Sequence, residues 1–174
     1  MERTAIRILA LDLATKTGFA HSCGQSGVWD LSIGRDESSG MRLLRFEGKL
    51  NEVYRSVGID VIAFEAISVS KGVKADINVT KLASKLQAIA ERFCETNGVE
   101  HCSRHYNTIK AHSLPPVVGT KMVRDKAAMF EAAKLKWPGR EYADDNEVDA
   151  LWLLDLVQSE LVMSPTGVDR ERPA

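Results

Sequence analysis

The sequence is short of cysteine, short of net charge and without a long apolar run, and each shortage removes a class of protein. Its 3 cysteines, Cys23, Cys94 and Cys102, make no CxxC pair. No disulfide scaffold is written into that spacing, and reduced thiols suit a cytoplasm. A zinc site from Cys94, His101, Cys102 and His105 matches no ligand pattern; the plainer reading is buried thiols beside ordinary histidines. No apolar segment reaches membrane length, and the start MERTAIRILALD has neither the leader nor the cleavage site of a signal peptide. The expectation is a protein that stays where it is made, in the cytoplasm. A net charge of −1 gives no overall basic balance of the kind that announces a nucleic-acid partner. There is no internal repeat and no low-complexity segment.

What is there is an ordinary globular composition: 174 residues, 44% hydrophobic and 27% charged, enough for one domain with a proper core. The charge is uneven. Between Arg104 and Arg140 lysine and arginine dominate; from Glu141 onward the acids do, with no lysine at all. Such asymmetry marks either a basic binding face beside an acidic site or two solvated helices.

Hydrophobic patterning predicts a strand over 4–13, then two more at GFAHSC and GVWDLSIG, joined by short connections as an antiparallel meander. Met41, Leu44, Leu50, Val53 and Val57 trace a helix that stops at Gly58. DVIAFEAI (60–67) is apolar throughout and reads as a central strand. A helix over 77–96, a strand at VEHCSRHY, a loop through NTIKAHSLPPVVGTK, a helix over 121–136 and a last helix from DDNEVDALWLL complete the chain. The order βββ-α-β-α-β-α-α predicts an α/β fold: a mixed sheet of three antiparallel strands followed by parallel ones, with helices on its faces. One domain spans 1–163, and 164–174 is a polar tail. Trp29, Trp137 and Trp152 read as packing residues.

The chemistry lies in the acids. Asp12 ends the first strand and Glu65 ends the VIAFE strand, where a charge loses hydration and needs a partner. Asp145 and Asp149 lie four residues apart near the start of the last helix and so share a face. Asp144 and Glu147 have capping-box spacing there. If the two acidic strands are neighbours, their carboxylates repel unless a cation neutralises them. Oxygen ligands of this kind suit Mg²⁺, with Mn²⁺ as a substitute, and not zinc. Two such ions about 4 Å apart can activate a water and stabilise the leaving oxygen of a phosphodiester.

These residues resemble the RuvC-like Holliday-junction resolvases of the RNase H-like superfamily. ILALDLATKTGFA is similar to their first strand, VIAFE to their second acidic strand, and DNEVDALWLL to their terminal helix. TIKAHSL and GTKMVRDKAAM resemble the intervening lysine-bearing stretch, with Lys110 and Lys126 on the family's lysines. The ordered set runs from about residue 6 to 160, and the compact chain with DNEVDA looks more like the phage-encoded branch. Where the family often has an acid or histidine three residues before its last aspartate, this chain has Asn146, with Asp145 one residue earlier; either can serve as the third ligand. The bacterial enzymes' aromatic wedge after the second acid has no counterpart in ISVSKGVKAD, which leaves Val69, Val73 or Ile77 for that place.

The resemblance implies a homodimeric, two-metal endonuclease that cuts branched DNA such as four-way junctions. Its metal ligands would be Asp12, Glu65, Asp145 or Asn146, and Asp149. Lys126 would stabilise charge in the transition state. Lys71, Lys74, Lys81, Lys110, Lys121 and Arg124 would join Lys126 on DNA phosphates. Symmetric incision calls for a two-fold dimer, with the 77–96 helix and its stripe Leu82, Leu86, Ile89 and Phe93 as the candidate interface. Other readings are a YqgF-like nuclease acting on RNA and a non-catalytic DNA-binding module of the same fold. An actin-like ATPase needs two lobes, and this chain is too short for both.

Overall fold

Strand β1 (Ile8–Asp12) forms the middle of a five-stranded sheet of order β3-β2-β1-β4-β5. After a turn closed by the Thr17 hydroxyl donating to the Ala14 carbonyl at 2.7 Å, β2 (Lys16–His21) returns antiparallel to β1, and β3 (Ser26–Asp30) pairs antiparallel to β2. Helix α1 (Gly40–Ser56) crosses over to β4 (Val61–Glu65), which lies parallel to β1. Gly58, just past the helix, holds φ +77°, a left-handed turn that glycine adopts without steric cost. Helix α2 (Ile77–Asn97) leads to β5 (Glu100–Arg104), parallel to β4 at the sheet edge. Among the described residues three helices follow: α3 (Tyr106–Ser113), α4 (Lys126–Lys136) and α5 (Asp145–Met163). The computed structural model describes residues 5–67, 77–115 and 125–163. The mixed antiparallel-then-parallel sheet with helices on both faces is the architecture that the patterning predicts.

Strand periodicity divides the core in two. Ile8, Ala10, Val61 and Ala63 face one way and pack with α3, α4 and α5; Leu9, Leu11, Ile62 and Phe64 face the other way and pack with α1 and α2. The small residues Ala10, Ala20 and Ala63 let α5 lie close to the sheet. α5 is itself buried on nearly every side, from Val148 through Val157, as a helix sandwiched between a sheet and two other helices must be. On the opposite face Trp29 stacks on Phe19 with ring centroids 4.9 Å apart. Trp137 packs on the buried Trp152 at 4.9 Å, and the Trp152 indole donates to the Met129 carbonyl at 3.1 Å.

Two expectations are corrected, and one is met. The stretch after β5 is not all loop: residues 106–113 form α3, because His105 accepts from the Asn107 amide and Ile109 is drawn under α5. That supply of a cap and a tertiary contact outweighs weak local propensity. The plainer reading of the cysteines and histidines is met: Cys94 and Cys102 are buried, in opposite core layers, while His101 stacks on Phe64 and His105 caps α3. The α2 stripe is not a free interface: Leu86 and Phe93 are buried in the core and Leu82 and Ile89 pack against it.

Candidate active site

The same alternation that builds the core aims the carboxylates. Asp12 continues the parity of Ile8 and Ala10, and Glu65 that of Val61 and Ala63, so both acids face α5. Their strands are parallel neighbours, with Leu11 opposite Phe64, which brings Asp12 and Glu65 to the same end of the sheet. α5 brings two more acids. Asp149 is buried at 9% exposure on the helix side that meets the sheet, and Asp145 stands one turn earlier, exposed.

Lys126, the first residue of α4, closes the group. Its Nζ lies 2.8 Å from Asp145 Oδ2 and 3.2 Å from Asp149 Oδ2. It is aimed by the helix start: Asp125 caps α4, its Oδ1 accepting from the Ala128 amide at 2.8 Å.

The first turn of α5 reaches this place because β2 makes room for it. A Cβ on Gly18 would lie 1.9 Å from the Asn146 carbonyl oxygen; only glycine allows that approach. Asp144 ends the preceding loop, its Oδ1 accepting from the amides of Asn146 at 2.9 Å and Glu147 at 3.3 Å. The Glu147 carboxylate reaches back to the Ala143 amide at 2.7 Å, one residue before the expected capping-box partner.

Burial dominates the electrostatics. It lifts Asp12 from an ordinary 3.8 to about 7, with Asp149 and Glu65 adding repulsion and Lys126 opposing. Glu65 rises to about 7 for the same reasons, burial first and then Asp149. Burial also raises Asp149 against the pull of Lys126. Burial by itself lowers the affinity of Lys126 for its proton, but hydrogen bonds and charge from Asp145 and Asp149 outweigh it and hold the ammonium above the ordinary lysine range. The Lys126 hydrogen bond keeps Asp145 below the ordinary aspartate range. The cluster thus carries more negative charge than one ammonium neutralises.

No family model matches the chain, and no curated protein does. Solved structures do. Thermus thermophilus RuvC in complex with Holliday junction substrate superposes with a TM-score of 0.68 at 10% identity, covering 92% of this chain and 97% of that one. A second Thermus thermophilus RuvC structure gives 0.65 at 12% identity over 92% and 98%. The yeast mitochondrial Holliday junction resolvase Ydc2 gives 0.57 at 14% identity over 91% and 81%. The chain has the fold of the RuvC-like resolvases.

On this RuvC-like fold Asp12, Glu65, Asp149, Asp145 and Lys126 form one electrostatically coupled group. Asn146 turns elsewhere: its side-chain amide donates to Asp144 at 3.4 Å and its carbonyl rests against Gly18. Lys110 lies on α3 with its Nζ 5.4 Å from the Tyr106 ring centroid, and Lys81 is exposed on α2. Lys71, Lys74, Lys121 and Arg124 lie outside the described residues, as do Val69 and Val73; Ile77 is 66% exposed at the start of α2. Two contributors were not legible in the sequence. Gly18 shows its role only against α5, and Tyr106, whose phenol is raised by burial and by nearby Asp149, looks there like any strand-end aromatic.

The donor chemistry is that of a hard divalent cation: carboxylate oxygens only, crowded and partly neutralised by an ammonium. Among the described residues no three His, Cys, Asp or Glu side chains are drawn together as a finished metal cage; Lys126 stands between Asp145 and Asp149 instead. No described helix is long and apolar enough to cross a membrane.

Proposed function

We propose that this chain is a divalent-metal-dependent endonuclease that hydrolyses phosphodiesters in branched DNA, with four-way junctions as its substrate and a homodimer as its working form. The observation that carries the reading is the convergence on one helix of carboxylates from two adjacent parallel strands, within a fold shared with two Holliday-junction resolvases. Asp12, Glu65 and Asp149 would hold Mg²⁺ or Mn²⁺. Asp145 is favoured over Asn146 as the further ligand, since an anionic oxygen binds these ions better than an amide and Asp145 already faces the group. Such ions, when bound, supply an activated water and stabilise the leaving oxygen.

The chain's own residues do the rest. The strand ends hold Asp12 and Glu65 on rigid elements, which limits how far their oxygens can wander. Lys126 has 54% of its side chain exposed and can turn from Asp145 to a phosphate oxygen, where a fixed ammonium opposes developing negative charge. Lys110 and Lys81 lie on helices that would carry flanking backbone, joined by Lys71, Lys74, Lys121 and Arg124. The DNEVDA stretch favours a phage-type enzyme working in the host cytoplasm.

The test is incubation of the purified chain with Mg²⁺ and matched four-way, Y-shaped, linear and RNA substrates. Paired symmetric cuts in the four-way junction, and linearisation of a cruciform plasmid, are the expected result. Cleavage of RNA alone would move the protein to the YqgF-like reading, and junction binding without cleavage to a non-catalytic module. Light scattering should give twice the chain mass; a monomer that only nicks would sink the resolvase reading.

A further inference from the structure

Glu147 is 4% exposed, and a buried carboxylate must recover its lost hydration from hydrogen bonds. It does so through a relay. Arg140 Nη2 donates to Ser26 Oγ and, at 3.3 Å, to the Gly24 carbonyl; Ser26 Oγ in turn donates to Glu147 Oε1; and the Ala143 amide donates to Oε2 at 2.7 Å. Guanidinium, hydroxyl and carboxylate thus tie β3 and the turn before it to the loop ahead of α5 and to the first turn of α5. Gly18 holds the same turn from β2, with no space left for a methyl group. The next residue, Val148, is buried by apolar packing alone. An apolar residue at 147 would be buried without the desolvation cost, but it would tie neither Ser26 nor the Ala143 amide to the first turn of α5.

We propose that Glu147, Ser26 and Arg140 are positioning residues: their relay sets the angle and register at which the first turn of α5 presents Asp145 and Asp149 to Asp12 and Glu65. The inference rests on the nuclease reading for its functional consequence, but the anchoring itself does not. A shift of about 1 Å in such a turn is enough to cost about a hundredfold in rate.

The test uses Ser26→Ala, which removes one oxygen, and Arg140→Met, which removes the guanidinium but keeps an unbranched stem. Both should fold by circular dichroism. Each should raise the Mg²⁺ dissociation constant, measured by calorimetry without DNA, and lower kcat on a four-way junction by at least about tenfold, with KM within about threefold. Ser26→Thr should restore both. The double variant should be little worse than Ser26→Ala, because beyond the bonds lost with the Ser26 hydroxyl it removes only the Arg140–Gly24 contact at 3.3 Å. Amide exchange of residues 143–149 should accelerate in Ser26→Ala while the later turns of α5 are unchanged. Variants that melt earlier yet bind Mg²⁺ and turn over as the wild type does would overturn the proposal, as would exchange that is unaltered in that turn. A wild type that binds no Mg²⁺ counts against the nuclease reading, and the exchange data then decide the anchoring by themselves.

Discussion

Replacing Asp12 by asparagine should make the metal-free protein more stable and leave it inactive. Burial first, then the charges of Asp149 and Glu65, lift Asp12 from 3.8 to about 7. A rise of that size is a preference of about 4 kcal/mol for the protonated carboxyl. Above about pH 4 the unfolded chain has released this proton and the folded chain has not. The contribution of Asp12 to stability is therefore complete at acid pH and is lost as pH rises through about 7. Beyond that the folded state bears the whole cost of a buried, crowded charge. Asparagine has nearly the same shape and no proton to lose. Because Glu65 and Asp149 share the repulsion and Lys126 relieves part of it, one replacement should recover about 2–4 kcal/mol. Urea unfolding in EDTA should find the two proteins equal near pH 4 and Asp12→Asn ahead by at least about 2 kcal/mol near pH 8.5. Mg²⁺ at a hundred times its dissociation constant should stabilise the wild type by about 2.7 kcal/mol and the variant far less. If Asp12→Asn is no more stable than the wild type at alkaline pH, the carboxylates are not crowded and the reasoning fails.

Gly18→Ala would drive a methyl group into the Asn146 carbonyl; a loss of about 1–3 kcal/mol in thermal or urea unfolding is expected, with cleavage falling more than stability accounts for. Asp145→Ala should harm Mg²⁺ binding and cleavage more than Asn146→Ala, and the reverse ranking would give the ligand role to the amide. Glu65→Gln and Asp149→Asn should each abolish cleavage while junction binding in a gel-shift assay holds or tightens, since repulsion of phosphate is removed with the ligand. Junction affinity should fall steeply with salt, with a log–log slope of about −4.5 for about five phosphate contacts; a flat dependence would make Lys81 and Lys110 ordinary surface residues.

The strands and the long helices were legible because their signals are local. Alternation and apolar runs follow from the two-residue and 3.6-residue periods of the backbone itself, and an acid ending each of two apolar strands stands out against that pattern at Asp12 and Glu65. Which carboxylates meet is not local. The parallel pairing of β1 with β4 and the shared parity toward α5 put Asp12 and Glu65 before Asp149, and no spacing along the chain encodes that distance. Helix α3 escaped the sequence for the same reason: its propensity is weak, and Ile109 and the His112–Asp155 contact at 2.6 Å exist only once α5 is in place. The α2 stripe shows the opposite error, since amphipathicity says that a helix face is buried but not against what. Gly18 belongs wholly to the tertiary structure, and so does the tie of Glu147 to Ser26, beyond the local capping that its spacing from Asp144 announces. A glycine that admits a neighbouring carbonyl, and a glutamate held by a serine 121 residues away, acquire their meaning only when the packed elements supply the other half of the contact.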